Sequence, residues 1–263
     1  MLIALFATLA PALTLLLYFM AMTERSPLWM LPIAIGFFAA FCLLYVFFLL
    51  VSGLLLKNKE APERYMPYAK RVLLLTVDWF LTLCGFRIRV KGKELLPDEP
   101  FVLVSNHRSA MDPLVYLHAF SGHELSFVSK ASVMRWPIVG PYMVQSGFLA
   151  IERDKPLQSL RVIRRAARLV TEGISFGIFP EGTRTKNGLV GEFKEGAFLA
   201  AKRAEAPLVI ATIEGTEKFR KRLFPRVVVT VRQAVDRDTV KASTHEALSD
   251  LSHSVIKEAL GEK

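Results

Sequence analysis

Hydrophobic and polar positions divide the chain into two unlike parts. Residues 1–22 contain no Asp, Glu, Lys or Arg, and residues 28–56 contain none either. Each run exceeds the ~20 residues that an α-helix needs to cross a hydrocarbon core. Only "TERSP" lies near their junction, enough for a turn, so the pattern predicts a transmembrane helical hairpin over 1–56. A cleaved signal peptide fits the first run less well: it lacks a basic leading segment, and its apolar stretch is longer than usual. Further on, "RVLLLTVDWFLTLCGF" (71–86) is apolar but short for a span and is interrupted by Asp78. It reads as a core or interface-lying helix within an amphipathic linker over 57–94. Strand-like stretches then alternate with helical ones. The strands are "FVLVS" (101–105), "SGFLAI" (146–151), "SFGIF" (175–179), "LVIATI" (208–213) and "VVVTV" (227–231); the helices are 113–120, 156–172, 193–204 and 243–260. The alternation predicts one α/β domain over 95–263, a mixed or mostly parallel sheet flanked by helices.

Charge adds an orientation. The chain carries a formal +10, and setting aside Glu24 and Arg25 leaves all of it in 57–263. The hairpin turn is balanced, whereas Lys57, Lys59, Arg64, Lys70 and Arg71 follow the second span. Such an excess marks the cytoplasmic side, so the expectation is an integral protein of the cytoplasmic (inner) membrane with its domain facing the cytoplasm. A basic domain suits nucleic acid or an anionic membrane. The tether favours the membrane, and no nucleic-acid motif is present. Arg161, Arg164, Arg165 and Arg168 form a stripe on the helix at 156–172, which reads equally as leaflet-facing or as a solvated face. "KFRKRLFPR" (218–226) mixes bases with two aromatics and also suits a membrane surface. Two cysteines in apolar segments argue against a disulfide framework.

The polar residues that carry chemistry stand at strand ends. "VSNHRSAMDPL" (104–114) places His107 and Asp112 in a turn between a strand and a helix. Asp112 followed by Pro113 reads first as an N-cap with proline at the first helical position. The same carboxylate is also placed to orient the His107 imidazole as a general base. "AIERD" (150–154) puts Arg153 after a strand, and "FPEGTRT" (179–185) puts Glu181, Gly182 and Arg184 after another. Ligands of open α/β sheets bind at the carboxyl ends of strands. Arginines there grip phosphate, and a glycine permits close backbone approach.

"NHRSAMD", "GFLAIERD", "FPEGTRT" and "FKEGAFLAAKRAEAPLVIATI" come in order and at plausible spacing. Together they resemble the four blocks of the 1-acyl-sn-glycerol-3-phosphate acyltransferases, over roughly residues 95–215. The resemblance implies a glycerolipid acyltransferase-like fold in which His107, oriented by Asp112, deprotonates an acceptor hydroxyl. It also implies that Arg153, Glu181, Gly182, Thr183 and Arg184 shape the site for the acceptor's phosphate, with Lys130 as a further candidate. The implied reaction moves an acyl group from acyl-CoA or acyl-carrier protein to the sn-2 hydroxyl of lysophosphatidate, with no metal and no bound cofactor. The implied partners are a lysophospholipid, an acyl thioester, an anionic membrane and, for one donor, acyl-carrier protein. Departures from the blocks are Glu152 where Asp is common and Ile210 where a second proline is common.

Two rivals are an acyltransferase for another lysophospholipid or a lyso-amino-acid lipid, and a lysophospholipase. The second needs a serine elbow, and "GISFG" (173–177) has its pattern. An elbow joins strand to helix, however, whereas Ser175 here is expected at a strand start. His118 and His123 have no metal-site spacing.

Overall fold

A computed structural model describes residues 15–20, 30–56, 65–151, 156–185, 189–219 and 221–262. Its first long element is α1 (Met30–Leu55), 26 residues without a charge and largely exposed. It is long and apolar enough to cross a membrane. Residues 15–20 are also helical, but most of the first expected span lies outside the described residues.

The described strands are β1 (Arg87–Lys91), β2 (Val102–Ser105), β3 (Leu125–Lys130), β4 (Leu149–Ile151), β5 (Ser175–Ile178), β6 (Leu208–Glu214) and β7 (Arg226–Val235). They form one sheet in the order β1-β7-β6-β2-β5-β3-β4. The five from β6 to β4 run parallel, β7 is antiparallel to β6, and β1 is parallel to β7. Strands β2 and β5 are buried throughout and β6 is buried up to Ile213, as parallel strands covered on both faces must be. Leu103 and Val209 point into one layer with α2 (Pro67–Leu83), α3 (Asp112–Ala119) and, after the short α4 (Ala131–Met134), α5 (Gly140–Gln145). Val102, Val104 and Ile210 point into the other, with α6 (Pro156–Thr171), α7 (Leu199–Ala204), α8 (Arg237–Ala242) and α9 (His245–Ala259).

The stretch expected as a linker over 57–94 is different where it is described. Val72, Leu73, Val77 and Leu81 of α2 are core residues, and β1 is an edge strand of the sheet. Lys70, counted among the flanking charges, is 1% exposed. It enters the interior from the first turn of α2, and its Nζ donates to the Leu125 carbonyl. Burial pushes its pKa down to about 7.

Helix α1 packs antiparallel along α2. Phe41 meets Trp79 at 5.0 Å between centroids, the Tyr45 hydroxyl lies 2.9 Å from Thr76 Oγ1, and Gln145 Nε2 donates to the Leu56 carbonyl at 3.1 Å. Since α2 begins beside the start of β3 and ends beside the start of β7, it runs with the parallel strands. The residues of α1 before Phe41 therefore extend past the carboxyl ends of those strands, by about 10 Å beyond the end of α2. The arginine stripe of α6 lies on the layer that the sheet separates from α1, which favours the solvated face over the leaflet-facing one. Arg165 there pairs with Glu172 at 3.4 Å.

Candidate active site

The turn after β2 is held from several sides. Asn106 is buried and brackets Ile213 of the neighbouring strand: its Nδ2 donates to the Ile213 carbonyl, and its Oδ1 accepts the Ile213 N–H, both at 2.9 Å. The next residue, His107, is 8% exposed. Its Nδ1 lies 2.8 Å from Asp112 Oδ2. A carboxylate accepts, so Nδ1 is the donor, and in the neutral ring Nε2 is the nitrogen with the lone pair.

Asp112 does not cap the helix as expected. It is the first residue of α3, and Met111 is the cap position, with no side-chain capping bond. Its Oδ2 instead gathers the turn behind it, accepting the N–H groups of Arg108 at 2.6 Å and Ser109 at 2.8 Å. Its Oδ1 accepts the Thr216 hydroxyl at 2.5 Å. Four donors converge on a carboxylate with no solvent exposure, which answers the cost of burying its charge. The same bonds fix where the imidazole is held.

An aromatic column supports the ring. Phe179 stacks on His107 with centroids 4.2 Å apart and planes 16° apart, and Phe127 stacks on Phe179 at 5.7 Å and 12°. Gly177 makes room for the column, because a Cβ there would lie 2.0 Å from the Phe127 ring. Tyr116 packs beside it, its hydroxyl 2.6 Å from Ser105 Oγ, and burial pushes its phenol pKa well up.

The structure turns Glu181 inward. Its Oε1 accepts the His107 N–H at 2.7 Å, and its Oε2 accepts the Thr185 hydroxyl at 2.7 Å and the Gly191 N–H at 3.1 Å. Thr185 also donates its N–H to the His107 carbonyl at 2.9 Å. Both carboxylate oxygens are thus taken up in joining the two turns, and a carboxylate would repel a phosphate. Glu181 thereby ties the turn after β5 to the turn that carries His107.

Thr183 and Arg184 are exposed at the same rim, and Gly182 has a left-handed φ of 68°. The methylene stem and Nζ of Lys194 close over Gly182, 3.2 Å from where a Cβ would stand. A cleft of about 640 Å³ opens there, lined by Thr183, Arg184, Thr185, Gly191 and Lys194 among others. Lys130 is exposed at the end of β3, on the same edge of the sheet. Arg153 lies outside the described residues. Sequence reasoning did not single out Asn106, Phe179, Lys194 or Thr216, although the first three stand inside "NHRSAMD", "FPEGTRT" and "FKEG". Ser175 is buried at the start of β5, where its Oγ accepts the Phe101 N–H.

A mixed, mostly parallel sheet with a paired histidine and aspartate at one strand end and cations at its neighbours defines an acyltransferase-type fold and site. Residues 87–214 match the family model described as Acyltransferase. Across 136 residues, 51% of this chain, it is 37% identical to a chloroplastic 1-acyl-sn-glycerol-3-phosphate acyltransferase of Brassica napus, 39% of which is covered. Across 201 residues, 71% of this chain, it is 30% identical to the 1-acyl-sn-glycerol-3-phosphate acyltransferase alpha of Ovis aries, 66% of which is covered. The matched segment thus spans from about two fifths to two thirds of these relatives' length. The crystal structure of the 1-acyl-sn-glycerophosphate acyltransferase PlsC from Thermotoga maritima shares the fold: the TM-score is 0.63 at 24% identity, over 98% of this chain and 96% of that one. The chain belongs to the acyltransferase family.

Proposed function

We propose that this protein transfers a fatty acyl group from an acyl thioester to the sn-2 hydroxyl of lysophosphatidate, giving phosphatidate. The observation that carries the reading is the His107–Asp112 pair, with Nδ1 tied to a buried, four-bonded carboxylate and Nε2 left as a base. Nε2 takes the hydroxyl proton as the acceptor oxygen attacks the thioester carbonyl. Collapse of the tetrahedral intermediate breaks the C–S bond, and the imidazolium returns its proton to the leaving thiolate. Asp112 stays ionised and stabilises the imidazolium between these steps. Arg184 and Lys194 supply positive charge for the acceptor's phosphate, and an arginine presents paired donors for it. The thioester supplies the activation, so the reading requires neither a metal nor a bound cofactor. Acyl-CoA and acyl-carrier protein are both donors of the required chemistry.

The rim that carries His107 is also the rim past which α1 extends, which supports a site turned toward the bilayer where acceptor and product reside. The positive flank after α1 supports a cytoplasmic domain on the inner membrane. Water as acceptor is disfavoured by the placement of Ser175, whose Oγ is engaged inside the sheet.

The test uses the detergent-purified full chain, an acyl-CoA donor and lysophosphatidate. His107→Ala is expected to lower turnover by ~10²- to 10⁴-fold, the usual worth of a general base. Equal turnover would refute the assignment. Arg184→Ala should raise KM more than it lowers kcat with lysophosphatidate, and a lysophospholipid without a phosphomonoester should show no such dependence.

A further inference from the structure

The loop between β6 and β7, residues 215–225, has no part in the proposed chemistry beyond Thr216, yet its tip is built unlike an ordinary surface turn. Leu223 is 89% exposed, the most exposed large hydrophobic side chain among the described residues, and Phe224 beside it is 56% exposed. Phe224 also holds a φ of +62°, a conformation that bulky side chains rarely adopt. Packing holds it there. Its ring lies over Gly85, where a Cβ would come within 2.5 Å of it, and the Arg87 guanidinium stands 5.5 Å from its centroid. Around this tip Lys218, Lys221, Arg222, Arg87 and Arg226 are exposed. Among the nearby acids, Glu217 folds back to accept the Gly215 N–H at 3.0 Å.

The place of the loop in the fold says what covers it. Because β7 is antiparallel to β6, the loop stands on the rim that carries His107. Phe219 in the loop packs against Phe80 and Phe86 at the end of α2, and the Arg87 N–H bonds the Pro225 carbonyl at 2.9 Å. The tip therefore stands beside the end of the α1–α2 pair, where Phe80 and Leu83 are exposed and α1 continues past the rim. An apolar tip in a basic collar, continuous with an apolar helix, matches the interior and the anionic surface of one leaflet.

We infer that the 215–225 loop is a second membrane contact, inserting Leu223 and Phe224 into the anionic leaflet that α1 enters. This rests on the reading of a rim turned toward the bilayer. The contact would set the tilt and depth of the rim, because an anchor on one side of the domain leaves it free to rock. The loop also carries Thr216, whose hydroxyl donates to Asp112, so it fixes the lipid surface and the base to one piece of chain.

The test is a Leu223→Cys variant of the full chain, with Cys42→Ala and Cys84→Ala, carrying an environment-sensitive fluorophore and reconstituted into phosphatidylglycerol vesicles. A Ser254→Cys variant on the exposed side of α9 is the reference. The inference expects blue-shifted emission at 223, quenched by nitroxide-bearing acyl chains, and neither effect at 254. Replacing Lys218, Lys221 and Arg222 by Gln should lower the ratio of inserted to withdrawn label by about fivefold per charge. Emission at 223 as water-like as at 254 would overturn it, leaving the tip to a protein partner. Turnover is measured on the same vesicles: an inserted but inactive enzyme counts against the proposed reaction, and an active one with a wet label against this contact alone.

Discussion

Replacing Lys70 by methionine should stabilise the protein at neutral and mildly acidic pH. The lysine is buried in the first turn of α2 with a carbonyl for a partner and, among the described residues, no carboxylate. Its pKa falls from 10.5 to about 7 on burial. Between those values the unfolded chain binds a proton that the folded chain does not, so stability rises with pH through that window and the cost is complete below pH 7. At 1.36 kcal/mol per pH unit the full cost is about 5 kcal/mol, and at pH 9 about 2 kcal/mol remains. Methionine removes this cost but leaves the Leu125 carbonyl without its donor, a loss of about 1–3 kcal/mol. The net gain is therefore about 2–4 kcal/mol below pH 7 and close to nothing at pH 9. For a chain of this size the gain appears as a rise in Tm of roughly 5–10 °C. Thermal unfolding of both proteins in one detergent, followed by tryptophan fluorescence at pH 6.5 and pH 9, measures it. If the Lys70→Met variant gained equally at both pH values, or lost stability at pH 6.5, burial of this amine would not be the cost that the fold carries.

Two further predictions concern the base. Thr216→Val removes one of the four donors to Asp112, a hydrogen bond to a charged group worth about 1.5–3 kcal/mol, and should lower kcat by about 10- to 100-fold with KM little changed. Thr216→Ser should restore most of the rate. Glu181→Ala unties the His107 turn from the Thr185 turn, so it should lower both the Tm and kcat; if it raised only the KM for lysophosphatidate, Glu181 would belong to the phosphate site after all.

What the sequence disclosed followed from patterns with a single physical meaning. The short, largely apolar runs of β2, β5 and β6, set between turns and helices, read as strands covered on both faces, and the polar residues just after them fall on one rim if those strands run parallel. Two strands escaped for opposite reasons. In β1, "RIRVK" alternates bases with aliphatics because it is an edge strand with one solvated side. In β3, "LSFVSK" hides Ser126 in the core, bonded to the Ser146 carbonyl, and so lacks the apolar continuity expected of a buried strand. Residue types at strand ends also revealed the pairing of His107 with Asp112 but not the rest of its support. Thr216 is 104 positions from its partner, in a turn with nothing to single out its hydroxyl. The inward turn of Glu181 and Lys70 was hidden for a shared reason: a charged side chain reads as facing solvent or ligand, and both are buried in the fold.

The place of α2 and β1 in the sheet bears on how the protein can be handled. A fragment starting at residue 95 would bare the Leu103 and Val115 layer and leave β7 as a long unpaired edge, open to pairing with other chains. Such a fragment is expected to aggregate. The helix that meets α1 cannot be trimmed away along with it, because that helix also walls the interior of the protein.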